Sequence, residues 1–370
     1  MTLRLDPVFR LGTFDYPLDK RVIAQFPLSQ RDQARLVVLH RASGLREHRL
    51  FQDIIQYLRA GDLLVLNDTR VIPARLAVRK VPTGGYLEVL LLRPSLRGAP
   101  PSRWEALMKG SVKIGQRLVA GRELEMRVLE RFSDGRWLID LVYEGEFFSV
   151  LDRLGMPPLP PYIRRTALES DREQYQTVYA KSSSSLGESG GSVAAPTAGL
   201  HFTDALLEKL RTEGVRRAFI TLHIGLGTFR PVRSSDIRLH SMDPEYYEIP
   251  TETARLIEET RAGRGRIIAV GTSTTRALEA AMAGGMGLNG SGTTDLFIYP
   301  GYKFQAVSGL ITNFHLPGTS LLMLVSAFVS APNSPITFKI FKDSLVGRAY
   351  AEAIKNKYKF FSFGDAMMII

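Results

Sequence analysis

The chain has 370 residues, with 48 Lys and Arg against 37 Asp and Glu, a net charge of +11 and a pI near 9.8. Hydrophobic residues at 45% and charged residues at 23% exclude a disordered or fibrous class, and the absence of cysteine excludes disulfides, thiolate-held clusters, thiolate zinc sites and cysteine nucleophiles. The length exceeds one average domain, so two are expected, and the excess of cations favours polyanionic partners through counterion release.

Met1–Arg10 carries Arg4, Asp6 and Arg10 among short apolar pieces, which is not a secretory pattern, and a cytoplasmic location is expected. No internal repeat of solenoid or propeller length is present. Phe14–Leu18, Arg35–His40, a helix-like Leu50–Leu58 and the apolar run Asp62–Leu66 alternate in an α/β manner. From Pro73 the pattern changes. Arg75–Arg79, Tyr86–Arg93, Trp104–Met108, Arg117–Leu118, Leu124–Arg131 and Trp137–Tyr143 are short alternating stretches separated by turn signals such as Gly84-Gly85 and Asp134-Gly135. They predict a small β-barrel domain over 73–150, inserted into a discontinuous α/β catalytic domain of 1–72 and 151–370.

A stiff connector, Pro157-Pro158-Leu159-Pro160-Pro161, follows, and Ser182–Ser192 reads as a mobile surface loop. Beyond it come a helix over Asp204–Glu213 capped by Thr203, a strand over Arg217–His223, a helix over Thr251–Arg261, a strand over Arg266–Val270 and a helix over Arg276–Ala283. Leu321–Val329 is the longest strongly apolar run. It is about half of the roughly 20 residues a membrane span requires, so it predicts a buried core helix and no membrane association. Asp343–Lys355 predicts a helix and Tyr358–Phe363 an aromatic final strand. The expected fold class is α/β, a large mixed sheet with helices on its faces, interrupted by the barrel.

Three of the six histidines lie in turn-rich segments where strands or helices end: His201 in Pro196–Phe202, His223 ahead of Gly225-Leu226-Gly227, and His315 in Asn313–Pro317. Imidazole at such ends suits acid–base catalysis, although each ring alone also fits a local structural role. No His-x3-His or His-Glu-x-x-His spacing occurs, and no metal is expected. Gly225 and Gly227 let the backbone turn sharply and expose amides to an anion, with Arg230 following. Gly225-x-Gly227 lacks the third glycine of a dinucleotide fingerprint, which argues against nicotinamide binding. The strand, hydroxyl-rich turn and helix start at Arg266–Arg276 suit a carboxylate or phosphate on Thr272 and Arg276, or ordinary capping by Thr274 or Thr275. Asn67, Asp68 and Arg70 end the apolar strand. Tyr299–Phe304 and Lys355–Phe363 interleave aromatics with cations, as base-stacking surfaces and buried strands both do.

Several strings together resemble a family: Ala195-Pro196-Thr197-Ala198-Gly199-Leu200-His201-Phe202, His223–Val232, Asp295–Gly301 and Leu310–Pro317, with Phe14–Leu18, Leu66–Leu76 and Phe361–Asp365 extending the likeness over nearly the whole chain. They resemble the S-adenosylmethionine:tRNA ribosyltransferase-isomerases of queuosine biosynthesis. The resemblance implies transfer and isomerisation of the ribosyl part of S-adenosylmethionine onto the aminomethyl group of a 7-deazaguanine at the tRNA wobble position, with release of adenine and methionine. It implies S-adenosylmethionine as ribosyl-donor substrate, no permanently bound cofactor, tRNA as partner and a monomer. His201, His223 and His315 become base and acid candidates. Arg70, Arg230 and Arg276 become candidates for anionic groups, and Asn67, Asp68, Thr197 and Asn313 for hydroxyls or base edges. Where the family usually shows Met-His-Ser-Glu, this chain has Met242-Asp243-Pro244-Glu245, so no role carries over for that histidine. A non-catalytic RNA-binding protein is the alternative, and it leaves the three loop-end histidines unexplained. A methyltransferase is disfavoured by the missing glycine-rich strand-to-helix turn.

Overall fold

Strands whose side chains are buried on both faces require a layer of helices on each side, and the runs at Leu63–Leu66 and Ile267–Val270 are fully buried. The computed structural model describes residues 6–95, 102–182, 191–225, 232–284 and 288–370, so Gly227, Arg230 and most of the Ser182–Ser192 stretch lie outside the described residues. The strands in chain order are β1 (Arg35–Leu39), β2 (Arg46–Leu50), β3 (Leu63–Asn67), β4 (Arg75–Val81), β5 (Tyr86–Pro94), β6 (Arg103–Lys109), β7 (Arg117–Ala120), β8 (Leu124–Arg131), β9 (Trp137–Tyr143), β10 (Gly155–Met156), β11 (Arg216–Leu222), β12 (Glu245–Ile249), β13 (Ile267–Val270), β14 (Gly290–Thr294), β15 (Gly309–Asn313) and β16 (Ala366–Ile369). The helices are α1 (Phe147–Leu154), α2 (Asp171–Gln174), α3 (Asp204–Thr212), α4 (Thr251–Ala262), α5 (Thr272–Ala283), α6 (Ser320–Phe328) and α7 (Leu345–Lys355). Among the described residues no helix is long and apolar enough to cross a membrane.

The chain divides into two compact units, one of Met1–Asp68, Pro196–Leu222 and Gly227–Ile370, the other of Thr69–Ala195 and His223–Leu226. The first holds a nine-stranded mixed sheet in the order β14-β12-β11-β3-β13-β15-β16-β1-β2. Its centre, β11, β3, β13 and β15, is parallel, so these four strands end on one edge. The second unit holds a sheet in the order β10-β4-β5-β6-β9-β8-β7, closed by pairing of β7 with β4 into a six-stranded barrel. Alternation along β4, β8 and β9 turns Leu76, Val78, Met126, Val128, Ile139 and Leu141 inward. The mixed sheet and the barrel are both as the sequence predicts.

Four local expectations are corrected. The final strand is β16, not Tyr358–Phe363, because positive φ at Lys357 (59°) and Phe361 (72°) breaks that stretch into turns. Tyr358, Phe360, Phe361 and Phe363 are buried, the Phe360 ring tilted against Phe314 with centroids 4.7 Å apart, so they are core and not a base-stacking surface. Leu50–Leu58 is a 3-10 turn over Phe51–Gln56. Helix α5 begins at Thr272 rather than Arg276. The Thr274 and Thr275 hydroxyls do not cap it; they donate back to the carbonyls of Val270 and Gly271. The apolar run at 321–329 is, as expected, a core helix: every residue of α6 except Leu321 is buried.

Helix α7 comes very close to the turn before it. A Cβ on Gly347 would lie 1.7 Å from the carbonyl oxygen of Phe341, a backbone atom that has no rotamer to escape into. Gly347→Ala is therefore expected to cost about 3 kcal/mol or more. Urea unfolding would read this as a lowered midpoint, and an unchanged midpoint would contradict the packing described.

Candidate active site

The C-terminal edge of the parallel strands in the first unit is where a ligand crevice forms in α/β sheets. Asn67 ends β3 there and is fully buried. Its amide donates to Leu222 O at 2.9 Å and accepts from Leu222 N at 3.1 Å, which extends the β3–β11 pairing by one side chain. Half-buried Asp68 accepts from Thr221 Oγ1 at 2.8 Å. Between them these two residues hold the end of β11 in place.

At the end of β13 the chain turns at Gly271, whose φ of 100° strains any side-chain-bearing residue, and Gly271 N donates to Ile311 O of β15 at 2.8 Å. A Cβ at Gly271 would sit 4.0 Å from Ala198, so this turn and the Thr197–His201 segment pack against each other. Helix α5 starts directly after it with no side-chain cap, which leaves the amides at Thr272 and Ser273 to be satisfied from outside the helix. Asn313, at the end of β15, accepts from Thr197 Oγ1 at 2.8 Å, and its amide nitrogen is 3.3 Å from His201 Nε2. His201 also bonds the backbone of Arg31 and packs on Phe51, ring centroids 5.0 Å apart. Thr197, Asn313, His201 and the α5 start thus form one cluster.

His315 lies two residues beyond Asn313 with its Nε2 2.8 Å from Thr312 Oγ1. Its backbone is clamped by two tyrosines, with Tyr350 Oη 2.9 Å from its N–H and the Tyr16 hydroxyl bonded to its carbonyl. Beside it, Arg10, Leu11, Asp15, Val232, Pro317 and Gly318 line an open cleft of ≈ 760 Å³, within the usual size of small-molecule sites.

Arg276, 2% exposed, pairs with Glu245 of β12, also buried. Among the described residues its Nε and Nη1 have no hydrogen-bond partner. Burial lowers the Arg276 pKa to about 10, partly offset by the charge of Asp295, so the guanidinium remains cationic at neutral pH. Sequence reasoning singled out Arg276 but gave Glu245 no role. It missed Glu279 altogether, a buried carboxylate that accepts from the amides of Gln305, Ala306 and Val307 and from Tyr302 Oη and so shapes the 302–307 loop. An isolated Glu inside a helical pattern carries no signal of such a role.

In the second unit, Ser192 N donates to Arg70 O at 2.8 Å and Ile72 N to Ser192 O at 3.0 Å. The Ser192 hydroxyl accepts from Ile224 N at 2.9 Å, fixing the segment that carries His223 and Gly225. His223 is half-buried and its Nδ1 is 2.9 Å from Thr69 Oγ1. Arg70 Nη1 reaches Lys181 O at 3.4 Å. Neither Thr69 nor Ser192 was singled out, although Thr69 stands inside the Asn67–Arg70 string.

All three histidines are held neutral. Burial lowers His201 to about 4 and His315 to about 3, and burial with the nearby Lys181 charge lowers His223 to about 4, against an ordinary 6.5. The unfolded chain therefore takes up protons near pH 6.5 that the folded chain refuses until about pH 4. Stability is full above pH 6.5 and is lost as pH falls from there toward 4, each histidine contributing up to about 1.4 kcal/mol per pH unit. Urea midpoints should be lower at pH 5 than at pH 7.5; equal midpoints would contradict the buried, neutral rings. Among the described residues no group of three His, Asp or Glu is placed to hold a metal ion.

The chain matches the family model described as queuosine biosynthesis protein over residues 11–369. It is 49% identical over 364 residues to the S-adenosylmethionine:tRNA ribosyltransferase-isomerase of Pelotomaculum thermopropionicum, covering 97% of this chain and 99% of that one. It is 48% identical over 365 residues to that of Halothermothrix orenii, covering 98% and 100%. The crystal structure of the S-adenosylmethionine tRNA ribosyltransferase from Thermotoga maritima superposes with a TM-score of 0.54 at 38% identity, covering 97% of this chain and 100% of that one. A likeness of this extent, over nearly the whole length of both chains, makes the chain a member of the queuosine biosynthesis family of S-adenosylmethionine:tRNA ribosyltransferase-isomerases.

Proposed function

We infer that this protein transfers and isomerises the ribosyl moiety of S-adenosylmethionine onto the aminomethyl group of 7-aminomethyl-7-deazaguanine at the tRNA wobble position, giving epoxyqueuosine-tRNA, adenine and methionine. The observation that carries the reading is the near-full-length likeness to named ribosyltransferase-isomerases. The chemistry of the site agrees with it. A sulfonium acidifies the adjacent ribose carbon, so the first proton transfer needs a neutral base, and the imidazoles are neutral at physiological pH.

Among the three, His223 is the base we favour. His223 is half-buried with its Nδ1 2.9 Å from the Thr69 hydroxyl, whereas His201 and His315 are buried against Asn313, Thr312 and aromatic side chains. Arg276, with two guanidinium nitrogens uncommitted, and the uncapped α5 start at Thr272 suit an anionic group such as the methionine carboxylate. Arg70 and the residues Gly225, Gly227 and Arg230 remain candidates for the same class of group. Asp68, Thr197 and Asn313 suit ribose hydroxyls or base edges, while the Asn67 amide is spent on β11. We take the protein as a cytoplasmic monomer without a permanent cofactor, its barrel over 73–150 inserted in the catalytic domain.

The test is incubation with S-adenosylmethionine and precursor-containing tRNA. Stoichiometric adenine and methionine are expected with loss of the free aminomethyl group. Tight tRNA binding without adenine release would support an RNA-binding protein instead, and accumulation of S-adenosylhomocysteine a methyltransferase.

A further inference from the structure

One end of the barrel gathers cations that no carboxylate pairs with among the described residues. The register places the end of β4 beside the starts of β5 and β7, with Arg79 opposite Tyr86 and Val119, and the end of β6 beside β5, with Lys109 opposite Glu88. The connection from β6 to β7 is tied over the same rim by Gly115 N to Val128 O and Gln116 Nε2 to Val81 O, both 2.8 Å, and the β8–β9 hairpin completes it. Arg79, Lys80, Lys109, Lys113 and Arg131 therefore share one rim, and all but half-buried Lys80 are exposed. Among the described residues none of the five has a carboxylate partner.

Their neighbours behave differently. Arg117 is paired with Glu125, and Arg136 with Asp134 and Glu105. Exposed Glu130 is the one carboxylate of this rim without a cation among the described residues. Arg131 lies over the Trp137 ring at 5.3 Å, and Arg79 Nη1 bonds Gly84 O at 3.2 Å, so two of the cations are held in position. Tyr86 and Ile114, 66% and 65% exposed, stand among them. Concentrated like charge destabilises a fold by self-repulsion, and among the described residues no ion pair offsets it here.

We propose that this barrel rim docks the tRNA substrate, its cations contacting backbone phosphates and Tyr86 stacking on an unpaired base. The proposal rests on the tRNA substrate inferred above. Phosphate contacts position an RNA without reading its sequence, so the rim governs affinity and not the chemical step.

The experiment compares the full-length parent with the triple variant Lys80→Gln, Lys109→Gln, Lys113→Gln, and with the Lys→Arg triple that keeps the charge. For the Gln triple, KM for precursor tRNA should rise on the order of 10- to 100-fold, and the slope of log affinity against log salt should fall by about 2 to 3. The kcat and the KM for S-adenosylmethionine should stay unchanged, and the Arg triple should behave as the parent. Unchanged tRNA affinity and salt slope in the Gln triple, measured by direct binding, overturns the proposal. A parent that shows this rim-dependent binding yet releases no adenine supports the docking surface and sinks the catalytic reading instead.

Discussion

Arg276→Met is expected to lower the stability of the protein by about 3–5 kcal/mol, because it leaves Glu245 buried, charged and without its main counter-ion. The two side chains join α5 to β12 inside the first unit. Removing both charges together is a different perturbation: Arg276→Met combined with Glu245→Leu replaces a buried ion pair by apolar groups, which is typically near neutral for stability. The double variant should therefore recover most of the loss, and a double-mutant cycle in urea reads the coupling directly. A single variant within about 1 kcal/mol of the parent would contradict the burial described. The same pair separates structure from binding. If Nε and Nη1 of Arg276 hold an anionic part of the substrate, the recovered double variant folds normally but still has a raised KM.

His223→Gln is expected to reduce kcat for adenine release by on the order of 10²- to 10⁴-fold, the usual contribution of a positioned general base. The fold should lose less than with the other two rings, since His223 is half-buried where His201 and His315 are buried. His201→Gln and His315→Gln should instead lower the unfolding midpoint first, because each ring is enclosed and bonded inside the first unit. Turnover of His223→Gln within a few-fold of the parent would remove it as the base. A large loss of kcat without loss of stability in His201→Gln would move the assignment to that ring.

Much of the architecture is legible in local pattern. The barrel strands alternate with a period of two between glycine turns, and such signals are short-range, so strands β4–β9 follow from them, while the closing pair β4–β7 joins segments about forty residues apart. The strand at Tyr358–Phe363 misleads for a physical reason. Aromatic runs are favoured in strands and in any buried segment, and only the positive φ at Lys357 and Phe361 decides for turns. Strands β2, β12 and β14 have half-exposed or Gly- and Ser-rich sequences and exist because a neighbour supplies their hydrogen bonds. The start of α5 is hidden by hydroxyls that resemble caps but bond backward to the carbonyls of Val270 and Gly271, just before the helix.

By itself the sequence determined the family, the α/β class with its barrel, the exclusion of thiol chemistry and the cationic balance that suits tRNA, because long strings and composition need no knowledge of what touches what. Only the tertiary structure decided that the histidines are neutral, that His315 is clamped by Tyr16 and Tyr350, that Arg276 is bound to Glu245, and which barrel cations lack a carboxylate. Each of these depends on desolvation and on partners tens to hundreds of residues away in the chain, and proximity of that kind has no local sequence signature.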